Sequence, residues 1–475
     1  MGTDIDKPIR VDRQAIVIIH GIGEQRPMET MRGFAESLIK LDAHPSDFPI
    51  WSRPDFISEG FEHRRLTLTG TRNRPKADVY ELYWAHLFEQ RDYSTFWAWA
   101  TRLGLRRFSD IPKRMHGYLN WLIFFVFLFA GLLAILWYLA RPLISGLETL
   151  GPVAVISGVV SFIVTLITHK FNVLFLGTIS DAARYLNVSP RNVKSRNAVR
   201  KLGVEFLEKM HAKTDPERGG VPYYDRIIVA GHSLGSVVGY DILQHYWYRQ
   251  HEQFDQTAKL DHDRLKEFET LLRKLQDGTL EFTDEEALSR IRAHQEALWG
   301  ERRLMSDTWR VTDFITLGSP LAYADVLMAE SETQFIKRRD QEEFPMNPPK
   351  LDAKHKNLTE DLKFENAAGQ PRTIKLLKHS AMFAITRWTN IYFPIQFGLL
   401  GDPIGGPVKR LFGGGVLDIE VKTPGHLPTF AHLKYWDGEC DKSNPNNPLN
   451  AIRLALDLET WSYGADVEVN DGKVA

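Results

Sequence analysis

Gly231-His232-Ser233-Leu234-Gly235 sets a serine between two glycines, with the apolar run Ile227-Ile228-Val229-Ala230 before it. Ser236-Val237-Val238-Gly239-Tyr240-Asp241-Ile242-Leu243 follows and reads as a helix. A strand, a sharp turn and a helix with serine at the apex form a nucleophile elbow. The serine adopts a strained backbone conformation, and small residues two before and two after it let strand and helix approach closely. Without such chemistry, the same letters describe a glycine-rich strand-to-helix connection. A serine hydroxyl is a poor nucleophile at neutral pH, so the chemistry also requires a general base and a carboxylate to orient it.

Candidates for both lie downstream. Asp402, in Gly401-Asp402-Pro403-Ile404-Gly405-Gly406, sits in a loop just past an apolar strand and is the expected acid; a turn-forming Asp before Pro is the competing role. His432 is the expected base, because Ala431-His432-Leu433-Lys434-Tyr435-Trp436 begins an aromatic-anchored segment able to hold a ring. His426, between Gly425 and Pro428 in a turn, is the alternative base. Other histidines, among them His20, His232 and His379, receive no role. Near the start, an apolar strand over residues 15–19 runs into His20-Gly21-Ile22-Gly23. Backbone N–H groups of Gly21 and Ile22, with that of Leu234 after the serine, are the expected oxyanion hole, each such donor mattering about 10²- to 10³-fold in rate. The turn lacks the Lys-Ser/Thr ending of a P-loop and the three-glycine spacing of a dinucleotide site.

The elements that must position these residues are short apolar strands over 15–19, 227–230, 311–317, 388–393 and 416–421, with 79–84 alternating like a strand. Parallel strands separated by helices predict an α/β architecture, here one catalytic unit interrupted twice. Residues 1–95 and 177–243 carry its first parts, the latter with the elbow and a helical stretch over 182–210, and 305–475 carries its last. Residues 96–176 form the first insertion. The second, 244–304, is highly charged, with Leu265, Phe268, Leu271, Leu272 and Leu275 at helical spacing; it reads as a helical hairpin that packs on the body, or else serves as a lid or a docking arm for a protein partner. Residues 329–372 are polar and proline-rich and receive no assignment beyond loop or cap.

His20-Gly21-Ile22-Gly23, the Gly-His-Ser-Leu-Gly elbow, Leu317-Gly318-Ser319-Pro320-Leu321, the stretch from Asn390-Ile391-Tyr392 to Asp402-Pro403, and residues 432–436 together resemble the α/β-hydrolase superfamily. Within it the chain is similar to lipase-like serine hydrolases, in particular class 3 lipases and DDHD-type phospholipases A1. The resemblance implies the α/β-hydrolase fold, with Ser233, Asp402 and His432 as catalytic triad in that family's chain order. It covers about half the chain in separated islands, and the apolar insert 395–400 between Asn390 and Asp402 is longer than those families usually carry.

Within the first insertion, residues 121–140 form an uncharged apolar run of about the twenty residues a membrane-spanning helix needs, and residues 151–168 form a second, shorter one. Arg102, Arg106, Arg107, Lys113 and Arg114 precede the pair, and Lys170, Arg184, Arg191, Lys194, Arg196 and Arg200 follow it, while the connector holds only Arg141. The positive-inside rule then predicts an integral membrane protein with a two-helix hairpin and the catalytic domain facing the cytoplasm. The first residues show no secretory signal, and a single cysteine, Cys440, suits a reducing compartment. With 59 basic and 60 acidic residues among 475, no charge excess points to nucleic acid. Neither a metal-ligand spacing nor a cofactor motif is present.

The expected function is a membrane-anchored serine hydrolase that cleaves an acyl ester, with a lipid or phospholipid as the expected substrate, without cofactor. The alternatives are a catalytically silent hydrolase-fold membrane scaffold, and a thioesterase or amidase run by the same triad.

Overall fold

The computed structural model describes residues 9–21, 26–40, 50–58, 63–70, 74–88, 127, 131, 185–186, 190, 192–252, 263–278, 283–304, 309–352, 356–365, 369–395, 401–422, 431–437, 443–444, 446–458 and 462–463. Ile22, His426, Cys440 and the apolar runs 121–140 and 151–168, apart from Phe127 and Gly131, lie outside them. Among the described residues no helix is long and apolar enough to cross a membrane.

Eight strands make the main sheet: β1 (Arg13–Ile19), β2 (Ile50–Pro54), β3 (Arg64–Leu68), β4 (Lys76–Leu82), β5 (Arg226–His232), β6 (Val311–Leu317), β7 (Arg387–Tyr392) and β8 (Val416–Glu420). Their order is β8-β7-β6-β5-β1-β4-β3-β2. The six from β8 to β4 are parallel, and β3 and β2 add an antiparallel edge. In β1, Ala15, Val17 and Ile19 belong to one hydrophobic cluster while Ile16 and Ile18 belong to another. That is why the strand is a continuous apolar run: in a parallel sheet covered on both faces, alternate side chains enter two cores and neither set can be polar.

Helices supply the covers. Helix α1 (Glu29–Lys40) lies against β4, and α2 (Val193–Ala212) packs with α3 (Leu234–Glu252), which also contacts β5, β1 and β6. The helical stretch expected over 182–210 is therefore α2, beginning at Val193, with Tyr185 and Leu186 also helical. Helix α3 buries Val237, Val238, Tyr240, Ile242, Leu243 and Tyr246, most of its circumference, because it lies between the sheet and later segments of the chain.

Helix α3 continues past residue 243, so the second insertion begins inside it. Helices α4 (Asp263–Gln276) and α5 (Asp284–Leu304) then pair with each other. Leu265, Phe268, Leu271 and Leu272 join the main core. Arg292 donates to the Trp388 carbonyl at 3.3 Å, and the Gln295 amide donates to the Phe383 carbonyl at 2.6 Å. The pair thus leans on the start of β7, the end of the sheet opposite Ser233. Residues 329–372 hold a helix, α6 (Glu332–Asp340), and an antiparallel hairpin, Thr359–Glu365 with Pro371–Leu377. The last helix among the described residues, α7 (Pro448–Leu456), packs on β6 and β7 and touches α1.

Beneath the sheet, at the starts of β5 and β6, Arg226 is fully buried. It donates to Asp313 at 2.6 Å, to Gln14 at 3.1 Å and to the Leu456 and Asp457 carbonyls at 3.0 and 2.8 Å. The last carbonyls of a helix have no intrahelical donors, so one arginine answers the Asp313 charge and closes the end of α7.

Candidate active site

Ser233 ends the run of β5 and immediately precedes α3. Its φ is +54°, left-handed backbone that costs a non-glycine residue on the order of 1–3 kcal/mol and is held only by surrounding structure. The restraints are visible. The Ser233 amide donates to the Leu317 carbonyl at 2.9 Å, and the Ser233 carbonyl accepts from the Ser236 hydroxyl at 2.5 Å. Ser319 in turn donates its hydroxyl to Ser236 at 2.6 Å and accepts from the Leu321 amide at 3.2 Å, which gives the Leu-Gly-Ser-Pro-Leu run a local purpose.

The flanking glycines are required by contact. A Cβ at Gly231 would stand 2.5 Å from the Ser236 Cα, and one at Gly235 would stand 2.1 Å from the Ile19 carbonyl oxygen. Strand β5, helix α3 and the end of β1 therefore meet backbone to backbone.

The structure brings Ser233, His432 and Asp402 together. His432 Nε2 is 2.8 Å from Ser233 Oγ, and His432 Nδ1 is 2.9 and 3.0 Å from the two Asp402 carboxylate oxygens. A carboxylate only accepts, so Nδ1 carries the proton and the Nε2 lone pair faces the serine hydroxyl, as base chemistry demands. Ser233 and His432 are each 5 % exposed, and Asp402 is fully buried.

Asp402 is held from several sides. Its Oδ1 accepts the amides of Ile404 at 2.8 Å and Gly405 at 3.0 Å, and its Oδ2 accepts the Tyr435 hydroxyl at 2.6 Å. Burial opposes its ionisation, but His432 and these donors outweigh burial and keep its carboxyl below the usual value. Asp402 thus makes the turn hydrogen bonds and also faces the His432 ring. Gly318 (φ +58°) and Gly405 leave the room: a Cβ on either would come within 2.7 Å of Asp402 Oδ2. Asn390 fixes the loop from the sheet. Its side-chain nitrogen donates to the Gly406 carbonyl at 2.9 Å and to Asp418 at 2.8 Å, while its oxygen accepts from Thr316 at 2.8 Å.

Of the expected oxyanion donors, Gly21 lies against the nucleophile, where a Cβ would be 2.8 Å from Ser233 Cβ. Leu234 is the first residue of α3, so its amide has no intrahelical acceptor. Ile22 and the alternative base His426 fall outside the described residues.

Sequence reasoning passed over two histidines. His20 is buried. Its Nδ1 donates to the Gly21 carbonyl at 2.8 Å, its Nε2 accepts the Trp84 amide at 3.2 Å, and the Trp84 indole donates to the His20 carbonyl at 3.1 Å. Burial, with a smaller push from His86, lowers its pKa to about 4, so the ring is neutral. His232 is likewise buried, with its pKa lowered to about 3 chiefly by burial and by the proximity of His432. No local signal in the sequence marks either residue, because their partners are brought in by the fold. His379 is partly exposed and lies 4.0 Å from Glu342, without part in this cluster.

A cavity of about 390 Å³ lies to the β4 side of His20, lined by Glu81, Leu82, Tyr83, His86 and Phe206 among others; none of the three triad side chains lines it. Among the described residues no cluster of His, Cys, Asp and Glu could hold a metal ion. Comparison of the chain with protein-family models, curated proteins and solved structures returned no match.

Proposed function

We propose that this chain is a serine hydrolase of the α/β-hydrolase type that cleaves acyl esters through an acyl-enzyme on Ser233. The observation that carries the reading is the continuous hydrogen-bonded line Ser233 Oγ to His432 to Asp402, with the serine at positive φ. Its setting supports the family: the serine strand lies between the strand ending in His20-Gly21 and β6, the acid follows β7, and the base follows β8.

In this mechanism Ser233 Oγ attacks the ester carbonyl carbon as His432 Nε2 takes the hydroxyl proton. The developing oxyanion is held by the Leu234 amide and by the amide after His20-Gly21. Collapse breaks the carbon–oxygen bond, and His432 returns the proton to the departing alcohol, leaving Ser233 acylated. Water then gives its proton to His432 as it attacks the acyl carbon, and the carboxylic acid leaves as Ser233 regains its proton. Asp402 stays ionised throughout and stabilises the imidazolium.

Lipid esters are the proposed substrates. The uncharged runs 121–140 and 151–168, flanked by basic residues, support a membrane anchor with the catalytic domain on the cytoplasmic side, and an anchored enzyme meets apolar esters at high local concentration.

Labelling of the detergent-solubilised full chain with a fluorophosphonate probe tests the chemistry. Wild type is expected to label, and Ser233→Ala and His432→Ala are expected not to. A folded wild type that does not label overturns the proposal.

A further inference from the structure

We propose that His232, the residue before the nucleophile, is a positioning residue that fixes the base by its main chain; this rests on the serine-hydrolase reading. His232 Nε2 is 2.8 Å from the His432 carbonyl oxygen. A carbonyl only accepts, so Nε2 carries the proton, and a ring kept neutral by burial retains this tautomer.

The ring also braces the segment after His432. Its centroid lies 5.0 Å from that of His432, 5.8 Å from Tyr435 and 4.8 Å from Trp436, the last two edge to face. Asp402 fixes the His432 ring at Nδ1, but a ring can turn about a hydrogen bond if its backbone drifts. The bond from His232 removes that freedom from the other end. Because His232 and Ser233 are consecutive, β5 presents the nucleophile and anchors its base across 200 residues of sequence.

Two features separate this role from ordinary core packing. The bond is made to the backbone of the base itself, and its donor is the far ring nitrogen, which a glutamine amide reaches from the same Cα. His232→Phe keeps a ring of similar size between His432 and Trp436 but has no donor. His232→Gln keeps a donor and loses the ring.

The test is the rate of fluorophosphonate labelling over a range of probe concentrations, on the full chain in detergent, with folded protein quantified by near-UV circular dichroism. A misplacement of about 1 Å can cost on the order of 10²-fold in rate. His232→Phe is therefore expected to lower the limiting labelling rate roughly 10- to 100-fold with the half-saturating probe concentration unchanged, and His232→Gln to restore most of it. Labelling of His232→Phe at the wild-type rate overturns this role while leaving the hydrolase reading intact. Equal loss in both variants overturns it too, because the ring and not the donor then matters. If wild type fails to label while folded, the hydrolase reading falls and this proposal falls with it.

Discussion

The Tyr435 hydroxyl donates to Asp402 Oδ2 at 2.6 Å, the same oxygen that lies 3.0 Å from His432 Nδ1. The phenol also accepts the Phe393 amide at 3.2 Å, so it joins the end of β7 to Asp402 and to the segment carrying His432. Its own ionisation is pushed well above the ordinary tyrosine value, chiefly by burial and then by the Asp402 charge, so it acts as donor at every working pH. Tyr435→Phe deletes a hydrogen bond to a charged group, worth about 1.5–3 kcal/mol, and leaves the Phe393 amide without an acceptor. The expected result is a fall in the thermal midpoint together with an acidic limb of the pH–rate profile moved to higher pH, since Asp402 holds its proton more readily. An unchanged limb would show that Tyr435 does not tune the acid.

Gly235 is the test of the elbow's packing. A Cβ there would stand 2.1 Å from the Ile19 carbonyl oxygen and 2.5 Å from that of His20, both backbone atoms that cannot turn aside. Gly235→Ala must push α3 away from β1, at a cost above the 1–3 kcal/mol typical of overpacking. Chemical denaturation should show a loss of at least about that size, or no folded protein at all. A variant as stable as wild type would mean the strand and helix are not in close contact.

Acid sensitivity follows from four buried groups. His20, His211 and His232 have pKa values lowered to about 4, 3 and 3, chiefly by burial, so they stay neutral in the fold while the unfolded chain binds their protons from about pH 6.5 downward. Stability from these three is present above that pH and is lost on acidification. Glu81 acts in the opposite sense. Burial raises its pKa to about 7, so between its unfolded value and 7 the fold holds a proton that the unfolded chain releases, and this contribution is lost as pH rises toward 7. Between about pH 5 and 6 the three histidines outweigh the one carboxyl, and unfolding takes up about two protons from this set. The thermal midpoint should therefore drop from pH 6.5 to 5, and Glu81→Gln should steepen the drop. A flat profile in both proteins would contradict the assigned charge states.

The parts legible in the sequence are those whose cause is local. Strands β1, β5 and β6 are largely apolar because both faces are covered, whereas β8 at the sheet edge is only partly buried, and glycine or proline near the ends of β1, β5, β6 and β7 marks where they stop. Ser233 and Asp402 were legible from the strands they follow, and His432 from the aromatic-anchored segment that it begins. The antiparallel edge escaped notice: β2 reads Ile-Trp-Ser-Arg-Pro and is largely exposed, so no apolar pattern marks it. Helix α6 was hidden likewise, with Phe335 as its buried residue. His20 and His232 were illegible for a different reason. Their bonds go to backbone atoms or to residues placed by the fold, and the letter His is the same whether the ring is solvated or anchored.

The pairing of β1 with β5 sets a schedule for the growing chain. Gln14 to Ile19 align with Arg226 to Gly231, so the centre of the sheet waits for more than two hundred residues to be added. At 5–20 residues per second that delay is roughly 10–40 s. Both apolar runs, 121–140 and 151–168, are made within it, before the sheet that carries Ser233 can close. Ser233 is made just after this interval, whereas Asp402 and His432 come later still. The serine, the carboxylate and the imidazole are thus joined only once residues 402 and 432 have been added, long after both apolar runs.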